Sequence, residues 1–418
     1  MSLARSGRGT CHPWDMERRL PRWSEIRQLI QMEPPALRRD SRLARAATIW
    51  DLRRMGQRRT PRAVFDYVDG AAEAEISLHR SREAFRRVEF VPSVLRDVSK
   101  VDTTTTILGK PASMPLALSP TGFTRMMHAA GEPAVAASAA AAGIPYALST
   151  LGTTSARDLA RKVPRGERWF QLYVWKDRGF AQELIDAARD GGYSALILTV
   201  DTPVAGARLR DIYNGLTIPP RLRWKTIVDG ALHPAWWWDF LTTEPLEFAS
   251  LRSSEGTVAE LIDKVFDPTV DFDDLAWLKE AWGGPVIVKG VQTPEDALAV
   301  AERGADAVIV SNHGGRQLDR APVTLEVLPQ VAAAVGDRVE VYVDGGVMSG
   351  ADVAAAICFG ARAAMVGRAY LYGLMAGGQA GVDRAISILH SELVRTMQLV
   401  GVTSIEELDR SRIRLRDH

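Results

Sequence analysis

Eight short apolar runs alternate with stretches of helical character in this 418-residue chain, from about residue 110 onward. The runs are PLALSP (115–120), PYALST (145–150), WFQLYV (169–174), ALILTVD (195–201), PVIVKG (285–290), AVIVSN (307–312), EVYVDG (340–345) and AAMVGR (363–368). Runs that are apolar on both faces and alternate with helices are typical of a parallel sheet covered by helices.

The spacing of the runs distinguishes two kinds of parallel sheet. Successive runs start 30, 24, 26, 90, 22, 33 and 23 residues apart. Six of these seven intervals have the length of one strand–helix unit, and eight units make a (β/α)8 barrel of about 250 residues. The alternative, a doubly wound open sheet, usually has fewer strands and a G-x-G-x-x-G turn, which is absent after the first run. We therefore predict an α/β fold, a (β/α)8 TIM barrel.

The 90-residue interval predicts a long insertion after the fourth strand, at about residues 204–270. The insertion contains Trp236, Trp237 and Trp238 in a row, and three adjacent tryptophans cannot all face one core. One interpretation is an interfacial patch that contacts lipid or a quinone-bearing membrane. The other is a lid packed on the barrel or on a neighbouring subunit.

The N-terminal part of the chain is strongly basic, with 15 arginines against 6 acidic residues in positions 1–62. Such a segment suits an arm that meets anionic lipid or an acidic partner, or a solvated, partly disordered leader. We predict a basic, partly disordered N-terminal extension at residues 1–44 and one barrel domain at 45–418. The helices that open this domain are expected to cap the bottom or the side of the barrel.

Composition restricts the location of the protein. No apolar run reaches the ~18–20 residues that span a bilayer, and the N-terminus lacks an apolar signal core. The two cysteines, Cys11 and Cys358, cannot build a disulfide framework and form no C-x-x-C pair. We expect a cytoplasmic protein without structural zinc, whose membrane contact, where it has one, is peripheral and on the inner face.

The ends of the predicted strands carry polar residues. In a TIM barrel the loops after the strands point into one mouth, where the chemistry takes place. The residues at or just after these ends are Ser119, Thr121, Ser149, Thr150, Gln171, Tyr173, Thr199, Asp201, Lys289, Ser311, His313, Arg316, Asp344, Gly345, Gly346, Gly367 and Arg368. The glycine-rich loops DGGVMSG and VGRAY after strands seven and eight predict a phosphate site, with Arg368 adding a charge-assisted hydrogen bond.

The stretch VSNHGGRQLD (310–319) combines a base with a cation. His313 beside Asp201 would be a carboxylate-oriented imidazole that takes up a proton near neutral pH. Arg316 offers a planar fork that matches a carboxylate. Gly314 and Gly315 are expected to leave room for a flat ligand. Together with a phosphate-bearing cofactor, these groups suggest oxidation at the carbon next to a carboxylate.

Five segments, VSNHGGRQLD, ALILTVDTP, WFQLYVWKDR, VIVKGV and VDGGVMSGADV, resemble the FMN-dependent 2-hydroxy acid dehydrogenase and oxidase family. This family includes L-lactate dehydrogenase, glycolate oxidase and mandelate dehydrogenase. The likeness runs from about residue 48 to about 410, and the chain is most similar to the quinone-linked L-lactate dehydrogenases of bacteria.

The resemblance implies roles for individual residues. His313 matches the catalytic base, Asp201 the carboxylate that stabilises its imidazolium, and Tyr173 a catalytic tyrosine. The implied substrate-binding set is Tyr67, Tyr173, Arg208, Arg316 and Leu151. Lys289 matches a lysine near the N1–C2 carbonyl region of the flavin. The implied FMN contacts are Ser119, Pro120, Thr121, Ser149, Gln171, Thr199, Lys289, Ser311, Asp344, Gly345, Gly346, Gly367 and Arg368. No metal is implied.

The resemblance also implies an activity: oxidation of an L-2-hydroxy acid, foremost L-lactate to pyruvate, by hydride transfer to flavin N5 with electrons passed to a quinone. Its implied partners are a small 2-hydroxy acid and an electron acceptor, with no nucleic acid, and its assembly is a homotetramer. An oxidase that makes hydrogen peroxide and an FMN oxidase of a tailoring pathway stay open. So do a flavin-free barrel lyase or isomerase and a non-catalytic binding module.

Three positions bear on cofactor retention, on substrate size and on the choice between an oxidase and a dehydrogenase. Many family members carry an arginine two residues after the DGG glycines, where this chain has Met348. We expect weaker FMN retention or compensation by another basic group, unless backbone contacts suffice. Leu151 stands where glycolate oxidases have a bulky aromatic residue, which leaves room for a lactate methyl group or something larger. Gly122, near the reactive face of the flavin, does not distinguish an oxidase from a dehydrogenase.

Overall fold

A computed structural model describes residues 19–29, 39–174, 178–215, 232–244, 246, 249 and 266–416. Within these residues the strands are β1 (Val88–Phe90), β2 (Thr105–Ile107), β3 (Lys110–Ala112), β4 (Leu116–Leu118), β5 (Tyr146–Ser149), β6 (Arg168–Leu172), β7 (Ala195–Thr199), β8 (Val286–Val291), β9 (Ala307–Val310), β10 (Glu340–Val343), β11 (Ala363–Val366) and β12 (Ile413–Leu415). Strands β4 to β11 are parallel and form a closed barrel, in which β11 pairs with β4. The predicted (β/α)8 barrel is confirmed, and each predicted run overlaps one of its strands.

The barrel strands are buried on both faces, which explains why their sequences do not alternate between apolar and polar residues. One set of alternate residues forms the barrel interior, where Trp169 stacks on Tyr342 at 5.9 Å between ring centroids. Small residues such as Ala117 and Ala147 share this interior and leave volume for the two large rings. The other set, including Leu148 and Leu196, belongs to the larger core that includes the surrounding helices.

Helices follow most barrel strands, as predicted. The helices described are Trp23–Leu29, Arg39–Arg45, Ile49–Arg59, Arg62–Asp69, Ile76–Arg86, Thr124–Met127, Gly131–Ala142, Ala156–Lys162, Arg178–Asp190, Leu209–Asn214, Pro234–Leu241, Phe272–Trp282, Pro294–Glu302, Thr324–Val335, Gly350–Cys358, Arg368–Gly377 and Gln379–Val400. Side chains of Ser155, Thr293 and Ser349 cap three of them by accepting a hydrogen bond from the third helical amide. None of the helices in this part of the chain combines the length and hydropathy needed to cross a bilayer.

The two ends of the barrel are closed by different elements. The antiparallel hairpin β2–β3 lies at the N-terminal ends of the strands, where the amide of Leu108 donates to Glu340 at the start of β10. The helices at 62–69 and 76–86 were expected at the bottom or side of the barrel. They instead contribute Tyr67, Leu78 and other residues to the mouth at the C-terminal ends of the strands. These two helices therefore form part of the mouth.

Asp69 joins these N-terminal helices to the barrel. Its buried carboxylate accepts two hydrogen bonds from Arg53, at 2.7 and 2.8 Å, and one from the Tyr372 hydroxyl at 2.7 Å. Arg210, beyond strand β7, lies 3.2 Å away. Burial alone would raise the pKa of Asp69, but the bonds from Arg53 and Tyr372 outweigh it and hold the pKa far below its ordinary value. Asp69 is therefore an anion whose two carboxylate oxygens both accept hydrogen bonds from neighbouring side chains.

The predicted boundary after residue 44 falls inside the helix Arg39–Arg45. Leu43 on this helix is only 3% exposed, and its side chain meets Gly377 of the barrel. The division of the chain into residues 1–44 and 45–418 stays a prediction. Most of the basic extension, and much of the insertion at 204–270, lie outside the described residues.

Candidate active site

A cavity opens at the C-terminal ends of the barrel strands. Most of the predicted site residues line it, namely Tyr67, Ser119, Pro120, Thr121, Ser149, Leu151, Tyr173, Arg208, Lys289, His313, Arg316, Asp344, Gly345, Gly346, Gly367 and Arg368. Four predicted residues do not. Gln171, Asp201 and Ser311 lie behind the wall and hydrogen-bond to Ser149, His313 and Lys289, whereas Thr199 lines an adjoining cavity.

His313 and Asp201 form a pair at the wall of the cavity. The Nδ1 atom of His313 lies 2.9 Å from Oδ1 of Asp201. Burial raises the pKa of Asp201, but the charges of His313 and Lys289 outweigh this effect, and the pKa lies below its ordinary value. Because an ionised carboxylate only accepts hydrogen bonds, Nδ1 carries the proton, and Nε2 of the neutral ring has a free lone pair. His313 can therefore accept a proton from a molecule in the cavity.

The chain turns through three consecutive left-handed residues at His313, Gly314 and Gly315, with φ angles of 56°, 62° and 75°. Glycine adopts this conformation without the penalty of a Cβ atom. A Cβ on Gly315 would lie 2.8 Å from the amide nitrogen of Leu78, and one on Gly314 would lie 2.8 Å from Nη1 of Arg368. That the two glycines leave room for a ligand stays a prediction; Gly314 lines the cavity, and both glycines also allow the left-handed turn.

Two guanidinium groups and two tyrosines surround the space beside His313. Arg316 and Arg208 lie over the ring of Tyr67, with Cζ atoms 4.9 and 5.6 Å from its centroid. Arg316 donates to the carbonyl oxygen of Tyr67 at 2.5 Å, and no carboxylate of the described residues lies within 4.0 Å of it. Burial and the neighbouring charge of Arg208 lower the pKa of Arg316. This uncompensated cation suits an anionic ligand.

Lys289 supplies a buried positive charge at the end of β8. Its Nζ atom donates to Ser311 at 2.8 Å and lies 3.2 Å from Oδ2 of Asp344. Burial lowers the pKa of Lys289, but Asp344 and Asp201 outweigh this effect, so the pKa lies above its ordinary value. The ammonium group therefore stays charged at neutral pH.

Several buried polar atoms around the cavity lack partners within the described residues. They are Ser119 Oγ, Gln171 Nε2, Thr199 Oγ1 and Asp344 Oδ1. A buried polar group without a hydrogen bond costs about 1–3 kcal/mol, so such atoms mark places where a bound molecule completes the bonding. Their position at four different strand ends fits an extended, polar ligand.

Comparisons with known proteins identify that ligand. The family model described as FMN-dependent dehydrogenase matches residues 56–415. The chain belongs to this family. FMN fits the site, because its ring and ribityl chain carry donors and acceptors that would complete the bonding of the unpartnered atoms, and Lys289 would place a positive charge beside the ring.

The similar proteins oxidise 2-hydroxy acids. The chain is 54% identical to the "Putative L-lactate dehydrogenase" of Mycobacterium tuberculosis, over 94% of this chain and 95% of that protein. It is 42% identical to the L-lactate dehydrogenase of Caulobacter vibrioides, over 86% of this chain and 95% of that protein. The crystal structure of the monotopic membrane protein (S)-mandelate dehydrogenase superposes with a TM-score of 0.86 at 38% identity, over 89% of this chain and all of that one. The chain is an FMN-dependent 2-hydroxy acid dehydrogenase.

The loops after β10 and β11, where the phosphate site is predicted, are rich in glycine. Gly345 and Gly346 have φ angles of 91° and 98°, and a Cβ on Gly346 would lie 2.8 Å from the carbonyl oxygen of Ser81. Arg368 donates to the carbonyl oxygens of Val68, Gly314 and Gly70, at 2.9, 2.8 and 2.7 Å. Its partners are therefore neutral, and its charge is left for a ligand.

Some cavity residues were not predicted from the sequence. Arg82, Phe266 and Gln317 line the cavity. Gln317 donates to the carbonyl oxygens of Asp201 and Val204 and accepts from the amide of Gly206, so it connects the two loops that follow β7 and β9. Arg82 follows Leu78, another cavity residue that was not predicted, by four residues, so the two share one helix face.

Replacement of Gly315 by alanine should destabilise the protein more than the positive φ angle of this residue alone would. Gly192 provides the control, because its φ of 67° is similar but a Cβ there meets no atom within 4 Å. Gly192→Ala should cost about 1 kcal/mol, and Gly315→Ala about 1–3 kcal/mol more, because Leu78 is in the way. Denaturant unfolding and the FMN content per protomer measure the effects. Equal losses in both variants would show that the contact with Leu78 is unimportant.

Proposed function

We propose that the protein oxidises L-lactate to pyruvate and passes the electrons to a membrane quinone. His313, which is oriented by Asp201 and lines one cavity with Arg316, carries this proposal. The names of the relatives with 54% and 42% identity support lactate as the substrate. The reaction removes two electrons and two protons from the hydroxy acid and reduces the quinone to the quinol.

Each group near His313 has a task in this reaction. The guanidinium groups of Arg316 and Arg208 bind the substrate carboxylate. His313 Nε2 takes the proton of the hydroxyl group, and Asp201 stabilises the imidazolium that forms. Bound FMN supplies an acceptor for the hydride from the α-carbon. The alternative order, in which the α-proton leaves first, uses the same base.

Tyr173 acts as a hydrogen-bond donor in this mechanism. Its side chain is buried and lies beside Asp201 and Tyr67. Burial raises the pKa of Tyr173, and the neighbouring Asp201 and Tyr67 raise it further. The phenol therefore stays protonated at neutral pH and orients the substrate without competing with His313 for its proton.

The substrate side group is expected to lie near Leu151 and Phe266, two apolar residues of the cavity wall. Phe266 contacts Tyr173 edge-on, with ring centroids 5.3 Å apart, so it limits the space around the substrate. A methyl group suits such a site better than a charged or polar group does. Phenyl substrates are the chief alternative, since mandelate enzymes are among the structural neighbours.

A panel of 2-hydroxy acids of both hands tests the choice of substrate. Under anaerobic conditions L-lactate should bleach the flavin absorbance fastest. D-lactate should not bleach it, because its α-hydrogen would point away from the flavin when Arg316 and His313 hold its carboxylate and hydroxyl groups. Stopped-flow absorbance gives the rate constants. If (S)-mandelate bleaches the flavin at least ten times faster than L-lactate, the lactate proposal is wrong although the enzyme class stands.

Replacement of His313 by alanine should lower the rate constant of flavin reduction by about 10²–10⁴-fold, because the base is lost. FMN content should stay close to that of the wild type, since the flavin contacts lie on other residues. His79→Ala, which changes an exposed histidine, is the control and should leave the rate unchanged. Undiminished reduction in His313→Ala would refute its role as base.

The helix Pro234–Leu241 supports contact with a membrane. Trp236 is buried and its indole nitrogen donates to the carbonyl oxygen of Met126, whereas Trp238 is 71% and Leu241 70% exposed. Asp239 pairs with Arg59 at 2.8 Å. This helix therefore combines both interpretations of the insertion, since one tryptophan packs on the barrel and another faces outward with a leucine. Tetrameric assembly stays a prediction.

Leu241→Ser should weaken binding to anionic lipid vesicles, because an exposed leucine gains about 1.5–3 kcal/mol when it enters an apolar phase. The control is Leu399→Ser, which changes a leucine with 72% exposure elsewhere on the surface. Flotation measures binding, and lactate-driven reduction of a vesicle-embedded quinone should fall in parallel with it. An equal loss in both variants contradicts membrane contact by this helix.

Rapid peroxide formation in air without quinone reduction would identify an oxidase instead of a quinone-linked dehydrogenase.

A further inference from the structure

The phosphate end of the flavin site lacks a cation on its glycine-rich loop. Met348 lines the cavity where many family members carry an arginine, and it is buried. Arg368 remains as a cation of the neighbouring strand end, and burial lowers its pKa to about 10. A phosphate monoester carries up to two negative charges near neutral pH, so one buried guanidinium leaves part of that charge uncompensated.

Arg82 brings a second guanidinium to the same end of the cavity. It lines the cavity together with Gly346, Met348 and Arg368. Its helix, Ile76–Arg86, packs directly on the glycine loop, as the close approach of the Ser81 carbonyl oxygen to Gly346 indicates. Ser81 also accepts a hydrogen bond from Asn312 at 3.2 Å. The backbone that holds Arg82 is therefore fixed against the loop that Met348 belongs to.

The guanidinium of Arg82 has no carboxylate partner among the described residues. Its Cζ atom lies 5.0 Å from the centroid of the Trp50 ring, and Nη2 lies 3.4 Å from the Tyr372 hydroxyl. Tyr372 is one helical turn beyond Arg368, so the two arginines approach the same helix face. The nearby carboxylate of Asp69 is already bound by Arg53 and Tyr372. No ion pair within 4.0 Å involves Arg82 in the part of the chain that is described.

We infer that Arg82 provides the second positive charge for the FMN phosphate, in place of the arginine that Met348 replaces. The charge comes from a helix outside the barrel rather than from the loop after β10. This inference rests on the FMN binding of the family and not on lactate or quinone as reaction partners. It assigns Arg82 a role in FMN binding and does not depend on the role of His313.

Binding of two flavins to the apoprotein tests this role without measuring turnover. Riboflavin and FMN share the ring and ribityl chain, and only FMN has the phosphate. Arg82→Met keeps an apolar chain over Trp50 but removes the charge. Dissociation constants for both flavins are obtained from quenching of flavin fluorescence. The control is Arg86→Met on the same helix, because Arg86 is exposed and pairs with Glu83 on the protein surface.

Arg82→Met should raise the dissociation constant of FMN roughly 10- to 100-fold, since a hydrogen bond between charged groups is lost. The constant for riboflavin should change less than about twofold, and Arg86→Met should change neither. An unchanged FMN constant in Arg82→Met overturns the inference. An equal loss for both flavins also overturns it, since Arg82 would then only support the packing around Trp50.

Restoration of the missing arginine gives a second measurement. Met348→Arg should improve FMN binding much more in the Arg82→Met background than in the wild type, because the two cations serve one phosphate. Independent, additive effects would contradict a shared ligand. Arg82→Lys, which retains the charge, replaces Arg82→Met where that variant does not fold, and its FMN constant should rise by less than about tenfold. A wild-type apoprotein that binds neither flavin would refute FMN binding and this inference together.

Discussion

The left-handed turn at His313–Gly315 depends on one side chain, that of Asn312. Its amide oxygen accepts from the amide of Gly315 at 3.2 Å, and its amide nitrogen donates to the Ser81 hydroxyl at 3.2 Å. This pair of bonds fixes the turn to the helix 76–86 and thereby sets the direction of the chain after β9. His313 then meets Asp201, and Arg316 reaches the carbonyl oxygen of Tyr67. A histidine with positive φ is an uncommon conformation, which persists where the surrounding structure enforces it.

Charge in the barrel mouth is distributed unevenly. Lys289 is balanced by Asp344 and also lowers the pKa of Asp201, so these buried ions compensate one another. Buried ions without a partner are costly. Among the residues that the structure describes, Arg316 nevertheless has only carbonyl oxygens as hydrogen-bond partners, as does Arg368. The two guanidinium groups are thus prepared for anions that arrive with substrate and cofactor, and the folded protein bears the cost of keeping them ready.

The sequence predicted what depends on local pattern. Apolar runs at regular intervals indicated the barrel, because parallel strands in its wall are buried on both faces. The order of strand ends likewise indicated which residues share the mouth. Contacts between distant segments were harder to foresee. The need for glycine at 315 arises from Leu78, more than 200 residues away, and the helix of Leu78 was expected at the bottom or side. Trp236 and Trp238 face different environments, which three identical letters in a row could not reveal.

The position of the helix 76–86 has a consequence for how the flavin site can vary. Because this helix and the glycine loop after β10 meet at one end of the cavity, a positive charge for the phosphate can come from either element. An uncharged residue such as Met348 can then stand in the loop without any change in the barrel strands, provided that Arg82 supplies the positive charge. The barrel supplies the fixed geometry of ring and base, and the segment that precedes it supplies an adjustable part of the electrostatics. The N-terminal helices are thus as much a part of the active site as the barrel loops are.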